Sequence, residues 1–246
     1  MSRQNEEKLE SNGVCSLCGG TFGKKPMTKH LTSCVKEKAN AEMSSPKQKP
    51  KSGKLFHIVV EGRYQPEYWI HIAAPAQAKL VNLDRFLRNI WVECCGHLSS
   101  FTIDGVKYSG SGKSSVGTTY GAFFGSDFEV DLGDKSMNID LNNVLVPRRK
   151  FYYEYDFGTT TDLALKVVSE YEGFIKGKDI QLMARNEPPA IMCDSCEKIA
   201  TQVCAVCVYN GEGWLCDECA SKHECGEEML LPVVNSPRVG MCGYSG

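Results

Sequence analysis

The chain has 246 residues, 42% of them hydrophobic and 24% charged, enough to bury a sizeable core and too apolar for a wholly disordered polymer. Residues 1–14 are polar throughout and no apolar run reaches the length of a membrane span, so neither a secretory leader nor a membrane anchor is expected. The net charge of −2 is uneven: residues 1–56 carry +6, residues 57–187 carry −3 and residues 188–246 carry −5, a basic amino-terminal arm on an acidic body.

Thirteen cysteines are the compositional outlier. In a reducing, cytoplasmic setting clustered thiols read as metal ligands and not as disulfides. At the amino end Cys15, Cys18, His30 and Cys34 follow the spacing C-x2-C-x11-H-x3-C. Two cysteines two apart grip one ion from a tight turn, and a His and Cys four apart share one helix face. Residues 1–36 therefore read as a zinc finger. Residues 37–54, rich in lysine, serine and proline, read as a basic flexible linker.

A middle domain is expected over 55–187. Strands are predicted at Leu55–Glu61 and Tyr68–Ala73 from their alternating Val and Ile content. Asn82 opens a helix in which Leu83, Phe86, Leu87, Ile90 and Trp91 share one face, with Gly96 as its stop. Asp104-Gly105 predicts a tight hairpin between Phe101–Ile103 and Val106–Tyr108. Ser109–Gly125 reads as a mobile glycine- and serine-rich loop. Strands follow at Phe151–Phe157, Leu163–Tyr171 and Ile180–Ala184, and Pro188-Pro189 closes the domain. Strands on both sides of one strong helix give an α+β class, with a central antiparallel or mixed sheet and a packed helix, flanked by small zinc-binding modules at both ends.

The carboxyl-terminal residues 188–246 hold the pairs Cys193/Cys196, Cys204/Cys207 and Cys216/Cys219, then His223 and Cys225. Eight ligands imply two ions, for about three structural zinc ions in the chain. Gaps of seven, eight and three residues between the pairs and the His resemble the B-box class. That resemblance implies a cross-brace, with Cys193, Cys196, Cys216 and Cys219 on one ion and Cys204, Cys207, His223 and Cys225 on the other. A B-box ends in two histidines, whereas this chain has Cys225 two positions beyond His223, with only Glu224 between them. Cys242 is thus a rival eighth ligand, and sequential pairing as a double zinc ribbon a rival arrangement. Sets filled entirely by protein ligands are structural and leave no position to activate water.

Other signals are weaker. Gly110-Ser111-Gly112-Lys113-Ser114 has the wrong spacing for a phosphate-binding loop, since Lys107 stands where glycine is required. Asp156-Phe157-Gly158 lacks the companion motifs of a kinase. Cys94, Cys95 and His97 read as side chains at a helix end, inert more often than metal-binding, and His57 and His71 as structural strand residues. Arg148, Arg149 and Lys150 precede the aromatic run Phe151, Tyr152, Tyr153 and Tyr155, a pattern compatible with phosphate contact and base stacking.

The segment Tyr68-Trp69-Ile70, the helix Leu83–Trp91 with His97-Leu98 and Phe101, and above all Tyr155-Asp156-Phe157-Gly158 form a pattern in which the middle domain resembles the plasmid pRiA4b Orf-like family. Here the last segment continues as Thr159-Thr160-Thr161-Asp162, where members commonly carry an acidic residue, a tryptophan and a histidine. The resemblance implies a compact α+β domain and no particular activity. The functional expectation is a non-catalytic, zinc-binding adaptor whose basic finger engages RNA, DNA or a ribonucleoprotein and whose acidic end contacts protein. The alternatives are an enzyme centred on His97 and Asp156, or a purely protein-binding scaffold.

Overall fold

The computed structural model describes residues 11–43, 52–110, 133–174 and 179–246, with the side chains of 39–43 excepted. Most of the glycine- and serine-rich loop and residues 44–51 of the linker lie outside that set. In chain order the principal elements are β1 (Asn12–Cys15), β2 (Thr21–Gly23), α1 (Lys24–Met43), β3 (Ser52–Gly62), β4 (Trp69–Pro75), α2 (Leu80–Leu87), β5 (Ser99–Ile103), β6 (Val106–Ser109), β7 (Lys135–Ser136), α3 (Leu141–Val144), β8 (Lys150–Tyr155), β9 (Thr161–Phe174) and β10 (Gln181–Asn186). The carboxyl end adds β11 (Gln202–Cys204), β12 (Trp214–Leu215), α4 (Asp217–Ala220) and β13 (Leu230–Pro232).

Ten strands form one sheet in the order β2-β1-β10-β4-β3-β9-β8-β5-β6-β7, and β11–β13 form a second of three. Pairing in the large sheet is antiparallel except between β6 and β7, so the sheet is mixed and the class α+β. Alternation explains the register: Phe56, Ile58 and Val60 on β3, with Leu163, Leu165 and Val167 on β9, turn into the core. Leu80, Leu83, Leu87 and Trp91 cover that face and are fully buried. The helix is shorter than its sequence pattern, because after Leu87 the backbone loosens into a π turn over Arg88–Val92 and leaves helical geometry at Glu93. The predicted hairpin is present, with Ile103 opposite Val106 and both Asp104 (φ 49°) and Gly105 (φ 78°) left-handed.

Both ends are built into this body. Strand β1 of the finger pairs with β10, and Met27 and Leu31 of α1 pack with Trp69, Ala73 and Met183. Residues 37–43, read from composition as linker, continue α1 to Met43. At the carboxyl end Val203 of β11 and Val239 of the tail join the main core. Beyond β13 the chain returns to the sheet: Ser236 Oγ donates to the Trp91 carbonyl at 2.6 Å, and Arg238, fully buried, donates to Asp156 at 2.8 Å and to Thr161 Oγ1 at 3.0 Å.

Candidate metal centres

All thirteen cysteines and three of the five histidines fall into four sets whose ligand atoms lie within 4.8 Å of one another. A zinc ion with Zn–S bonds of about 2.3 Å spaces its sulfurs about 3.8 Å apart in a tetrahedron, and a sulfur and an imidazole nitrogen about 3.5 Å apart. That spacing is the test of fit.

The amino-terminal set is Cys15, Cys18, His30 and Cys34. Cys15 ends β1, Cys18 lies in the turn to β2, and His30 and Cys34 lie one turn apart on α1. Cys15 and Cys34 Sγ are 3.9 Å apart, and Cys18 Sγ is 3.3 Å from His30 Nε2. Gly19, at φ 77°, lets the turn close, and Phe22 stacks on the His30 ring at 4.2 Å and fixes its direction. Burial, reinforced by the neighbouring Cys15 charge, pushes the Cys34 thiol up to about 12. A cation among the sulfurs removes that repulsion.

The carboxyl-terminal residues separate into Cys193/Cys196/Cys216/Cys219 and Cys204/Cys207/His223/Cys225. Alternate pairs thus share a set, as in a cross-brace, and Cys225, not Cys242, completes the second. Sulfur separations of 3.6 Å (Cys196–Cys216), 3.8 Å (Cys196–Cys219) and 3.6 Å (Cys207–Cys225), with 3.5 Å from Cys207 to His223 Nε2, match tetrahedral spacing. Burial raises the first thiol of each set. Backbone amides outweigh it: those of Cys216 and Ser195 bring Cys193 down to about 6, and those of Cys207 and Val206 bring Cys204 to about 6. Their partners Cys207 and Cys219 are pushed up to about 12, chiefly by hydrogen-bonded neighbouring cysteines. A cation at each set would favour the thiolate form of the raised thiols, Cys207 and Cys219.

The fourth set, Cys94, Cys95, His97 and Cys242, corrects the reading of the helix-end cysteines as inert and raises the number of sets from about three to four. The π turn delivers Cys94 and Cys95 at its end, and Gly96 at φ 77° turns His97 back toward them. Tyr155 fixes this loop: its hydroxyl accepts from the amides of Cys94 and His97 and donates to Glu93 Oε1 at 2.9 Å. Cys242 arrives from the far end of the chain, its Sγ 3.8 Å from Cys95 Sγ and 3.3 Å from His97 Nε2. Local spacing cannot reveal a ligand 145 residues away from His97. Arithmetic can: once the other three sets are filled, three cysteines and the paired His57 and His71 remain besides His97.

His97 and Asp156, the residues of the enzyme reading, do meet, at 3.4 Å. Both oxygens of that carboxylate are already engaged, however: Oδ1 accepts from the amides of Gly158 and Thr159, and Oδ2 accepts from Arg238. Asp156 is an anchor, held in the left-handed region at φ 64°. His57 and His71 form a separate buried pair, Nε2 to Nδ1 at 2.8 Å, outside all four ligand sets.

No family model matches the chain, and no curated protein does. Among solved structures the chain is similar to a protein of unknown function from Methanosarcina mazei Go1, with 16% identity, a TM-score of 0.46, and coverage of 72% of this chain and 86% of that one. No helix among the described residues is long and apolar enough to cross a membrane.

Proposed function

We propose that this is a zinc-stabilised, non-catalytic binding protein of the cytoplasm that engages single-stranded nucleic acid, alone or within a ribonucleoprotein. One observation carries the reading. A concave surface of about 630 Å³ joins the start of the finger helix to the outer face of β8 and β9, and Lys24, Lys25, Arg148, Lys150, Lys166 and Tyr152 line it. Lys24 is neutralised by Glu61, but Lys25, Arg148, Lys150 and Lys166 have no carboxylate partner among the described residues. In β8 the aromatics divide by face. Phe151, Tyr153 and Tyr155 are buried, and Tyr152 alone of the four is exposed, with the Arg63 guanidinium 4.5 Å above its ring. Cations beside an accessible aromatic are the elements of phosphate contact and base stacking. The acidic residues 188–246 suit a protein partner, since they would repel a polyanion.

Four phosphate contacts on a single strand imply an affinity that falls about 50-fold between 50 and 200 mM salt. The test is fluorescence anisotropy with labelled single-stranded RNA and DNA of about a dozen nucleotides at several salt concentrations. Arg148→Glu with Lys150→Glu should lower affinity and flatten the salt slope, and Tyr152→Ala should weaken binding at every salt concentration by about 1–3 kcal/mol. Absence of binding, or binding indifferent to salt and to these changes, overturns the reading in favour of a purely protein-binding scaffold.

A further inference from the structure

We propose that Cys94, Cys95, His97 and Cys242 hold a fourth zinc-class ion that acts as an exchangeable clasp, fastening the carboxyl-terminal tail to the middle domain. The inference is independent of the nucleic-acid reading.

Three observations carry it. The first is the donor set itself, three thiols and an imidazole whose ligand atoms all lie within 4.8 Å of one another. Cys95 to Cys242, at 3.8 Å, already has tetrahedral spacing, while Cys94 to Cys95 at 3.4 Å and Cys95 to His97 at 2.9 Å must open by about 0.4 and about 0.6 Å. The second is that both halves of the site are positioned without a metal. Tyr155 holds the loop from Glu93 to His97, and Arg88 donates to the His97 carbonyl at 2.7 Å. On the tail, Arg238 and Val239 are buried, and Cys242 takes the left-handed conformation at φ 48°, which a non-glycine residue keeps only when its surroundings hold it. Outside the donor set, Arg238 Nη2 lies 3.4 Å from Cys94 Sγ and 2.8 Å from Asp156 Oδ2, a counter-charge for an assembly of three thiolates and a dication.

The third observation separates this centre from the other three. Each of those buries at least one cysteine, whereas here Cys95 and Cys242 are exposed and Cys94 and His97 only half-buried. Water and competing chelators reach the ligands directly. The ion is therefore the last to load and the first to leave, and its loss removes a cross-link between residues 145 positions apart while leaving the fold in place. The tail is then held by Arg238 and its neighbours alone.

The test uses the full-length, zinc-loaded protein. Elemental analysis should find four zinc ions per chain, and transfer to a chromogenic chelator should release one equivalent in a fast phase and three slowly. Cys242→Ser and Cys95→Ser should each lose one equivalent, together with the fast phase, at unchanged far-ultraviolet circular dichroism. Hydrogen exchange of the tail amides around Arg238–Tyr244 should rise in either variant. Three zinc ions in the wild type, four in C242S, or a Cys94–Cys95 disulfide found by intact mass in the zinc-loaded protein would each overturn the proposal. If neither variant folds, the wild-type release trace decides, because a single phase for every ion contradicts an exposed clasp.

Discussion

The buried ion pair between Arg238 and Asp156 measures how firmly the carboxyl-terminal module belongs to the middle domain. Arg238 is 0% exposed and donates to Asp156 Oδ2 at 2.8 Å, to the Thr159 carbonyl at 3.0 Å and to Thr161 Oγ1 at 3.0 Å, with its guanidinium 4.8 Å above the Tyr155 ring. Arg238→Met keeps much of the side-chain volume and strands the carboxylate in a site 6% exposed. Removing one partner of a buried pair costs about 3–5 kcal/mol. The two amides that remain on Oδ1 place this case toward the lower end of that range. Asp156→Asn relieves the stranded charge, so D156N/R238M should be less destabilised than the sum of the single changes by about 1–3 kcal/mol. The assay is urea unfolding in excess zinc, repeated in the C242S background so that loss of the clasp ion is not the source of the effect. A cost below about 1 kcal/mol for R238M, the range of an exposed pair, would refute the claim that the tail is an integral part of the core.

Two further predictions concern the large sheet, one at β1 and one at the paired strands β3 and β4. A Cβ at Gly13 would sit 2.4 Å from both the Arg185 carbonyl and the Trp69 ring, so Gly13→Val should prise β1 from β10. Hydrogen exchange at Val14, and at Ser16, whose amide donates to the Met183 carbonyl, should rise while zinc content stays unchanged, and protection equal to wild type would refute the docking. Burial lowers His57 to about 4 and, with the charge of His57 and Lys24, lowers His71 to about 3. Between those values and the ordinary 6.5 the unfolded chain binds protons that the folded chain does not, so stability is full above pH 6.5 and is lost as pH falls toward 4. At pH 5 the pair accounts for roughly 4 kcal/mol of that loss. The variant carrying both His57→Leu and His71→Leu should therefore lose roughly that much less than wild type between pH 7 and 5, since the metal ligands titrate alike in both. Parallel stability curves would refute it.

What could be read in the chain depended on the range of each interaction. The α+β class, the Asp104-Gly105 hairpin and the buried face of Leu83, Leu87 and Trp91 follow from periodicity and turn chemistry within a few residues, and all appear. The three compact ligand sets were legible for the same reason: each is built on C-x2-C turns, one from two such pairs and the other two from one pair with a nearby His and Cys. Three features were not legible. The π turn that cuts the helix short arises from how Arg88 is drawn to Asp84, Glu93 and the His97 carbonyl, a network without a sequence signature. The joining of β1 to β10 depends on Gly13 meeting Trp69, residues 56 positions apart, and the fourth set on Cys242 crossing the whole chain.

These failures share a cause and locate what is distinctive in the protein. Two of them, the β1–β10 pairing and the Cys242 set, concern a terminal segment that reads as self-sufficient yet is joined to the middle domain, and the π turn belongs to the loop that receives Cys242. Independent modules on linkers would present the basic finger and the acidic end as separate binding heads. Because β1 extends the large sheet, Lys24 and Lys25 are instead held against Arg148, Lys150 and Tyr152, and the cationic surface exists only in the joined state. The Gly13→Val variant therefore connects two readings: if the groove is the binding surface, loosening β1 should weaken nucleic-acid binding even though no cation has been removed. A variant that loses the β1–β10 pairing and still binds with wild-type affinity would assign binding to the finger alone and remove the groove from the mechanism.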